Sequence, residues 1–302
     1  MRPIISPKEL ADAIGVSESS LKRWADNGLI RVSKTAGGHR RITIGETIRF
    51  IRSIRAPLLK PEVIGLDDLP TNGEAVLSTD SPTDRLHAYL VEGKERQARG
   101  LILSLYLNGQ SVVEIADGPI RTAMERIGEL WMHDATGVSI EHHAVDICIQ
   151  AVNRLRQVIV QNDAGPFAIG GAAPGDPYLL PSLLVAVALA SEGWRVVNLG
   201  PDTPFDSFVV AADRYKPQLV WLSASSVHDD VEMSFGVERI AHALADRGIT
   251  LVVGGRGLDR LSIPDGLVQR GESLADLMVV ANAVRNPEHG TVAGSTGGAS
   301  PS

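Results

Sequence analysis

The stretch Phe167-Ala-Ile-Gly-Gly-Ala-Ala-Pro-Gly-Asp176-Pro-Tyr178-Leu-Leu-Pro181 decides how the C-terminal half folds. Phe167–Gly170 is a short apolar run of the kind buried on both faces of a parallel sheet. A loop of small residues, Gly170–Gly175, follows it, and a helical apolar pattern then runs over Leu179–Glu192. The alternation repeats downstream. Apolar runs recur at Val196–Leu199, Leu219–Leu222 and Leu251–Val253, with a weak last one at Gly266–Gln269. Helical patterns separate them at Phe205–Tyr215 and Val231–Arg247, and a last one covers Ser273–Val284. This predicts an α/β domain over 163–286, flavodoxin-like (Rossmann-like), with a five-stranded parallel sheet and helices on both faces. Ligands of such sheets sit beyond the carboxyl ends of the strands.

Upstream, residues 84–162 read as helix, with breaks at Asn108-Gly109, at Asp117-Gly118-Pro119 and near Gly137. Ile120, Met124, Ile127 and Trp131 recur at helical spacing, as do Val145, Ile149 and Val152. A four-helix bundle is expected. Ser139 is the expected N-cap of its last helix, which would place Glu141 and His142 in the first turn. Residues 61–83 have the Pro, Gly and Asp content of a linker. Residues 287–302, rich in Gly, Ser and Thr, are expected to be a disordered tail.

The chain has 302 residues and a net charge of −7, unevenly spread. Residues 1–60 hold 12 Lys and Arg against 5 Asp and Glu, a net of +7, which leaves −14 for the rest. Only the head is therefore suited to a polyanion. Cys148 is the single cysteine, so no internal disulfide can form, and its apolar surroundings mark it as a core thiol. The apolar run Leu179–Ala190 is too short for a bilayer, and neither Arg2 nor Lys8 precedes an apolar signal segment. A cytoplasmic protein with no membrane partner is expected.

Ile5 to Trp24 reads as helix, a turn at Gly15, then a second helix capped by Ser17. Leu21 and Trp24 face inward, leaving Glu18, Ser19, Ser20, Lys22 and Arg23 outward, as a groove-reading helix requires. Thr35-Ala-Gly-Gly-His39-Arg40-Arg41 then places a tight turn beside side chains suited to phosphate. This combination resembles the MerR family of winged helix-turn-helix regulators over roughly the first 55 residues. The resemblance implies a DNA-binding head over 1–60, with Lys22, Arg23, Arg40 and Arg41 among its contacts and Ser19, Ser20 and His39 beside them. It also implies a dimer on a two-fold promoter site in double-stranded DNA. The family's long dimerisation helix is missing, because residues 46–60 are too short for one.

Trp131, nine residues, then Glu141-His142, set between such a head and an α/β domain, resembles the CarH/LitR photoreceptor regulators. The resemblance spans nearly the whole chain and implies adenosylcobalamin as cofactor. It places Trp131 over the upper axial face, with Glu141 and His142 beside the adenosyl group. In that family the dark, cofactor-bound form is a repressing tetramer that light releases. The family's cobalamin domain carries an acidic-x-His-x-x-Gly string, a Ser-x-Leu and a Gly-Gly. Here these read Asp176-Pro-Tyr178-Leu-Leu-Pro181, Ser223-Ala-Ser225 and Gly254-Gly255. Tyr178 replaces the histidine below the cobalt, and a phenol of pKa about 10 must lose a proton to bind a metal. Met132 stands where the family places a second ligand after the tryptophan. His133 is rotated about 100° around the helix from that position. No metal ligand is assigned.

Three readings stay open: cobalamin without a protein lower ligand, another flat tetrapyrrole such as a bilin or haem, or no ligand and a protein-interaction role. An enzyme of the methyltransferase-carrier type is disfavoured, because such carriers use the missing histidine and a separate catalytic domain. His228-Asp229-Asp230 follows a strand but offers no third spaced ligand, so a solvated loop is expected there.

Overall fold

The computed structural model describes residues 4–69, 80–130, 135–160 and 162–286. They fall into two compact units, Met1–Gly165 with Leu179–Arg195, and Pro166–Tyr178 with Val196–Ser302.

The first unit opens with β1 (Ile4–Ile5) and α1 (Pro7–Ile14). A capping box starts α1: Glu9 N–H donates to Ser6 Oγ at 3.2 Å, and Ser6 N–H donates to Glu9 Oε2 at 2.7 Å. Gly15 at φ 72° closes it in the left-handed region that glycine tolerates. Ser17 caps α2 (Glu18–Asp26), accepting from Ser20 N–H at 3.1 Å. A hairpin of β2 (Ser33–Lys34) and β3 (Arg40–Thr43) pairs onward with β1, giving an antiparallel sheet ordered β1-β3-β2. Thr43 caps α3 (Ile44–Ile54). Leu10, Ile14, Leu21, Ile30, Ile42, Ile48 and Phe50 form the core beneath these elements.

The segment after α3 is packed rather than free as far as Leu69. Pro61–Ile64 form a 3-10 turn, and Ile64, Leu66 and Leu69 are buried. These three apolar residues interrupt the polar, Pro- and Gly-rich pattern that reads as linker; residues 70–79 lie outside the described residues.

Helices α4 (Pro82–Val91), α5 (Glu95–Leu107), α6 (Val112–Ile115), α7 (Arg121–Leu130) and α8 (Ala135–Val158) follow. The break expected at Asp117-Gly118-Pro119 is instead a π-type turn over Ala116–Ile120, joining α6 to α7 without leaving the helical path. The wider turn accommodates a proline that lacks an N–H. Ser139 is not an N-cap, since α8 begins at Ala135 and Glu141 and His142 lie beyond its first turn. A lone glycine such as Gly137 costs about 1 kcal/mol but does not end a helix that packs along its length. Leu86, Leu90, Ile102, Ile127, Ile147 and Val152 are buried where α4, α5, α7 and α8 meet. α9 (Leu179–Ser191), apolar on most sides, packs on α8 and α6.

The second unit is built on β4 (Phe167–Ala172), β5 (Arg195–Asn198), β6 (Leu219–Ser223), β7 (Thr250–Gly254) and β8 (Val268–Gly271), in the order β5-β4-β6-β7-β8. β4, β6, β7 and β8 run parallel. The weak last strand begins two residues later than expected, because Gly266 at φ 79° is still in a turn. α10 (Phe205–Tyr215) and α11 (Asp230–Ala245) share one core with Ile169, Val220, Leu222, Leu251 and Val253. α12 (Leu274–Arg285) packs on β7 and β8.

Two glycines show how tightly these elements are specified. A Cβ on Gly170 would lie 2.1 Å from the Trp221 ring and 2.3 Å from the Trp221 carbonyl oxygen, while one on Gly128, inside α7, would meet nothing within 4 Å. Urea unfolding should therefore show Gly170→Ala losing about 1–3 kcal/mol by overpacking. Gly128→Ala should gain about 0.5–1 kcal/mol from reduced chain entropy.

Candidate functional site

On the basic N-terminal segment, the expected contact residues converge. α2 presents Ser19, Lys22 and Arg23 to solvent, with Ser20 half-buried. Leu21 is buried, and Trp24 lies against Phe50 with ring centroids 5.4 Å apart, which fixes the outward face. A cavity of about 350 Å³ between α1, α2 and the hairpin is lined by Lys8, Glu18, Lys22, His39, Arg40 and Arg41. Lys8 was missed in the sequence reading; its place in the first turn after the Ser6 cap was the available signal.

The two hairpin arginines differ. Arg40 Nη2 donates to Asp26 Oδ1 at 2.6 Å, at the end of α2, and its other terminal nitrogen is buried. The Arg41 side chain donates from Nη1 to the Arg40 carbonyl oxygen at 3.3 Å. Among the described residues no carboxylate pairs with Arg41, Lys22 or Arg23. Their charge faces solvent uncompensated, whereas Arg40 braces the hairpin against α2.

On α8, Glu141 is half-buried and His142 exposed, with His142 Nε2 3.6 Å from Glu141 Oε2. Trp131 and Met132 lie outside the described residues. Cys148, on the buried side of α8, donates to Met124 Sδ at 3.8 Å. Burial pushes its thiol up to about 12, so it is a core residue without thiolate chemistry at neutral pH.

The carboxyl edge of the second unit is organised by one buried acid. Asp176 is fully buried and accepts three backbone N–H groups: Tyr178 on Oδ1 at 3.0 Å, and Ser225 and Ser226 on Oδ2 at 2.6 and 3.2 Å. It thereby ties the loop after β4 to the loop after β6. Asp202 repeats the device after β5: Gly175 N–H donates to its Oδ1 at 2.7 Å, and its own N–H donates to the Asp176 carbonyl oxygen at 2.8 Å. Ser223 is buried, and its carbonyl oxygen accepts from Ala173 N–H at 2.8 Å. A Cβ on Gly255 would lie 2.6 Å from the Ala224 carbonyl oxygen, and one on Gly254 the same distance from that of Gly271. The close approach these glycines permit is thus between the chain's own loops. Gly175, Pro177, Tyr178, Gly255 and Arg256 remain exposed along the rim. β4 and β6, neighbours in space, are where the strand order reverses, the position at which doubly wound sheets bind ligands.

Residues 83–156 match the family described as a B12 binding domain. The chain is 24% identical over 293 residues to the HTH-type transcriptional repressor CarA of Myxococcus xanthus, covering 93% of this chain and 98% of that protein. It is similar in structure to the monomethylamine corrinoid protein of Methanosarcina barkeri, at 17% identity and a TM-score of 0.50, over 67% of this chain and 98% of that one. A cobalamin-binding protein from Desulfitobacterium hafniense is more distant, at 13% identity and a TM-score of 0.33, with the same coverage.

The B12-binding match thus falls on the helices α4 to α8, including Glu141 and His142. The likeness to the monomethylamine corrinoid protein is one of fold, over 67% of the chain. Among the described residues no group of three or more His, Cys, Asp or Glu side chains is arranged to hold a metal ion. No helix among them is long and apolar enough to cross a membrane.

Burial raises the Asp176 carboxyl above its ordinary value, although the three N–H donors pull it back down. An acid whose folded pKa is raised binds its proton more readily folded than unfolded. Its contribution to stability is therefore present below the ordinary Asp value and is lost as pH rises through the raised folded value. Asp176→Asn should remove this acid-side dependence. It should also cost about 1–3 kcal/mol at neutral pH, because an amide group turned toward Ser225 and Ser226 sets donor against donor. Thermal unfolding of both proteins between pH 3 and 7 measures each effect.

Proposed function

We propose that this chain is a cytoplasmic DNA-binding transcription regulator whose helical and α/β segments sense cobalamin. The single observation that carries the reading is similarity to a transcriptional repressor over 93% of the chain, together with a B12-binding match over 83–156. The basic segment acts as a winged helix-turn-helix head. α2 enters the major groove through Ser19, Ser20, Lys22 and Arg23, and His39 and Arg41 on the hairpin meet phosphates. The operator is two-fold symmetric, and the protein works as a dimer or tetramer rather than as an enzyme.

The ligand is adenosylcobalamin, which supplies a cobalt–carbon bond that green light cleaves. Trp131, Glu141 and His142 are the residues that would hold the adenosyl group, the ring by packing and the two polar side chains by hydrogen bonding. The small, exposed Gly175 and Gly255 suit a flat ring lying against the rim of the sheet. Tyr178, more than a third exposed and phenolic, offers no neutral nitrogen to the metal. Asp176, committed to three backbone amides, orients no imidazole. Of the positions that the resemblance assigns to metal ligands, Tyr178 and Met132 would therefore offer the cobalt no histidine. Ligand capture changes how protomers associate, and several linked heads bind DNA more tightly through effective concentration.

Size-exclusion chromatography of the protein mixed with adenosylcobalamin, in darkness and then after green light, tests this directly. Corrin should co-elute with a larger species in the dark, and that species should shrink on illumination. Corrin eluting free beside an unchanged protein peak contradicts the cobalamin assignment and favours a bilin or haem, or no ligand.

For the head, Arg41→Ala should weaken operator binding and lower the slope of log affinity against log salt by about one. An unchanged slope removes Arg41 from the phosphate contacts.

A further inference from the structure

Arg52 sits in the last turn of α3 and reaches the end of α5. Its Nη1 donates to the carbonyl oxygen of Tyr106 and to that of Gln110 at 3.1 Å, and Nη2 donates to that of Gly109 at 3.5 Å. The guanidinium carbon lies 3.8 Å from the centroid of the Tyr106 ring. α5 ends at Leu107, so the Tyr106 carbonyl lies at the negative end of the helix, which favours a cation, while the Gly109 and Gln110 carbonyls belong to the turn that follows and call for donors. A planar cation that is also a fork of donors satisfies both demands at once, and a stacked ring strengthens it. Among the described residues no carboxylate forms an ion pair with Arg52; the carbonyl oxygens and the ring contact its guanidinium, and its charge also helps hold the Glu114 carboxyl below its ordinary value.

Other contacts hold the chain near this point without depending on α3's polar face. Gly45, near the start of α3, lies against Val160. Beyond α3, the Gly65 carbonyl oxygen accepts from Arg154 Nη2 at 2.6 Å, and Asp68 bridges Arg99 at 3.2 Å and Arg154 at 3.3 Å. α5 and α8, which supply these partners, both fall within the B12-binding match, and α8 carries Glu141 and His142. The residues 61–69 are therefore stapled to α5 and α8, and Arg52 adds a polar contact from the head's own helix to the end of α5.

We propose that Arg52 is the positioning residue through which the B12-matching helices set the orientation of the DNA-reading head. The inference rests on the regulator reading above. A fork meeting three carbonyl groups is sensitive to small displacements of the helix end, because hydrogen bonds weaken steeply with angle. A shift of α5 or of its terminal turn on ligand binding is thereby converted into release or reorientation of α3. The staple at 61–69 keeps the head tethered throughout.

The test uses the full chain as wild type, Arg52→Gln and Arg52→Lys. Operator affinity is measured with and without adenosylcobalamin in the dark, and amide hydrogen exchange is followed across 44–60 and 135–158. In the wild type, ligand should change operator affinity by about 5- to 150-fold, the usual range of such coupling. In Arg52→Gln that ratio should fall to within about twofold, an effective loss of coupling. Corrin affinity and exchange in 135–158 should stay as in the wild type, and exchange in 44–60 should rise. Arg52→Lys, which keeps charge and stem but loses the fork, should retain only part of the ratio, and it replaces Arg52→Gln should the latter unfold.

An Arg52→Gln ratio equal to the wild type overturns the proposal, as does bound corrin that leaves wild-type operator affinity untouched. A general stability role would lower the melting temperature without changing the ratio, which also overturns it. Failure of the wild type to bind adenosylcobalamin overturns the cobalamin-sensing part of the regulator reading instead. Exchange in 44–60 then decides Arg52 alone, and an unchanged rate rejects it as the element holding the head.

Discussion

The carboxyl edge of the α/β unit depends on a buried carboxylate that forms no ion pair with any of the described residues. Asp176 takes its compensation from three backbone N–H groups, two of them on the neighbouring loop. Desolvation makes such a group costly unless its lone pairs are filled. Here the cost is met by fixing the loops after β4 and β6 to one another, while Asp202 fixes the loop after β5 to the first of these. The glycines then become obligatory, since Gly254 and Gly255 lie where any side chain would strike Gly271 or Ala224. A rim of small exposed residues is what this bracing leaves for a ligand. In a sheet of this order, β4 and β6 are the strands at which it would bind.

The head obeys a different constraint, the division of labour among its cations. Arg40 is spent on Asp26, and Arg52 on the carbonyls at the end of α5. Lys22, Arg23 and Arg41 stay uncompensated on the solvent side. The net charge of +7 in the first 60 residues therefore overstates the charge available to a polyanion. It also conceals that part of that charge is architectural. Position in the fold, more than residue type, separates a contact from a brace.

Much of the architecture was legible in the sequence. The switch from helical periodicity to alternating apolar runs at Phe167 marks the start of the sheet, and Ser6, Ser17 and Gly15 punctuate the first two helices because capping is local chemistry. What was not legible depends on distant partners. A π-type turn at Pro119 cannot be told from a helix end by composition. The start of α8 was misplaced because Ser139 has the residue type of a cap in a position where the helix is already formed. The packed residues 61–69 were hidden by a polar, Pro-rich surround. Of the candidate site, Asp176 was identified from its string, but its role as a clamp between loops required Ser225 and Ser226, about fifty positions away. The pairing of Arg40 with Asp26 was equally out of reach of any local pattern.

The central claim is that the chain holds cobalamin while offering no histidine to the metal. Electron paramagnetic resonance of paramagnetic cob(II)alamin bound to protein labelled with nitrogen-15 histidine examines it directly, since an axial nitrogen splits the cobalt signal in a pattern set by its isotope. The account predicts protein-bound cobalamin whose spectrum is the same with labelled and unlabelled protein. A splitting pattern that changes on labelling would show a histidine on the cobalt and contradict it, and cobalamin that does not remain with the protein would contradict it as well.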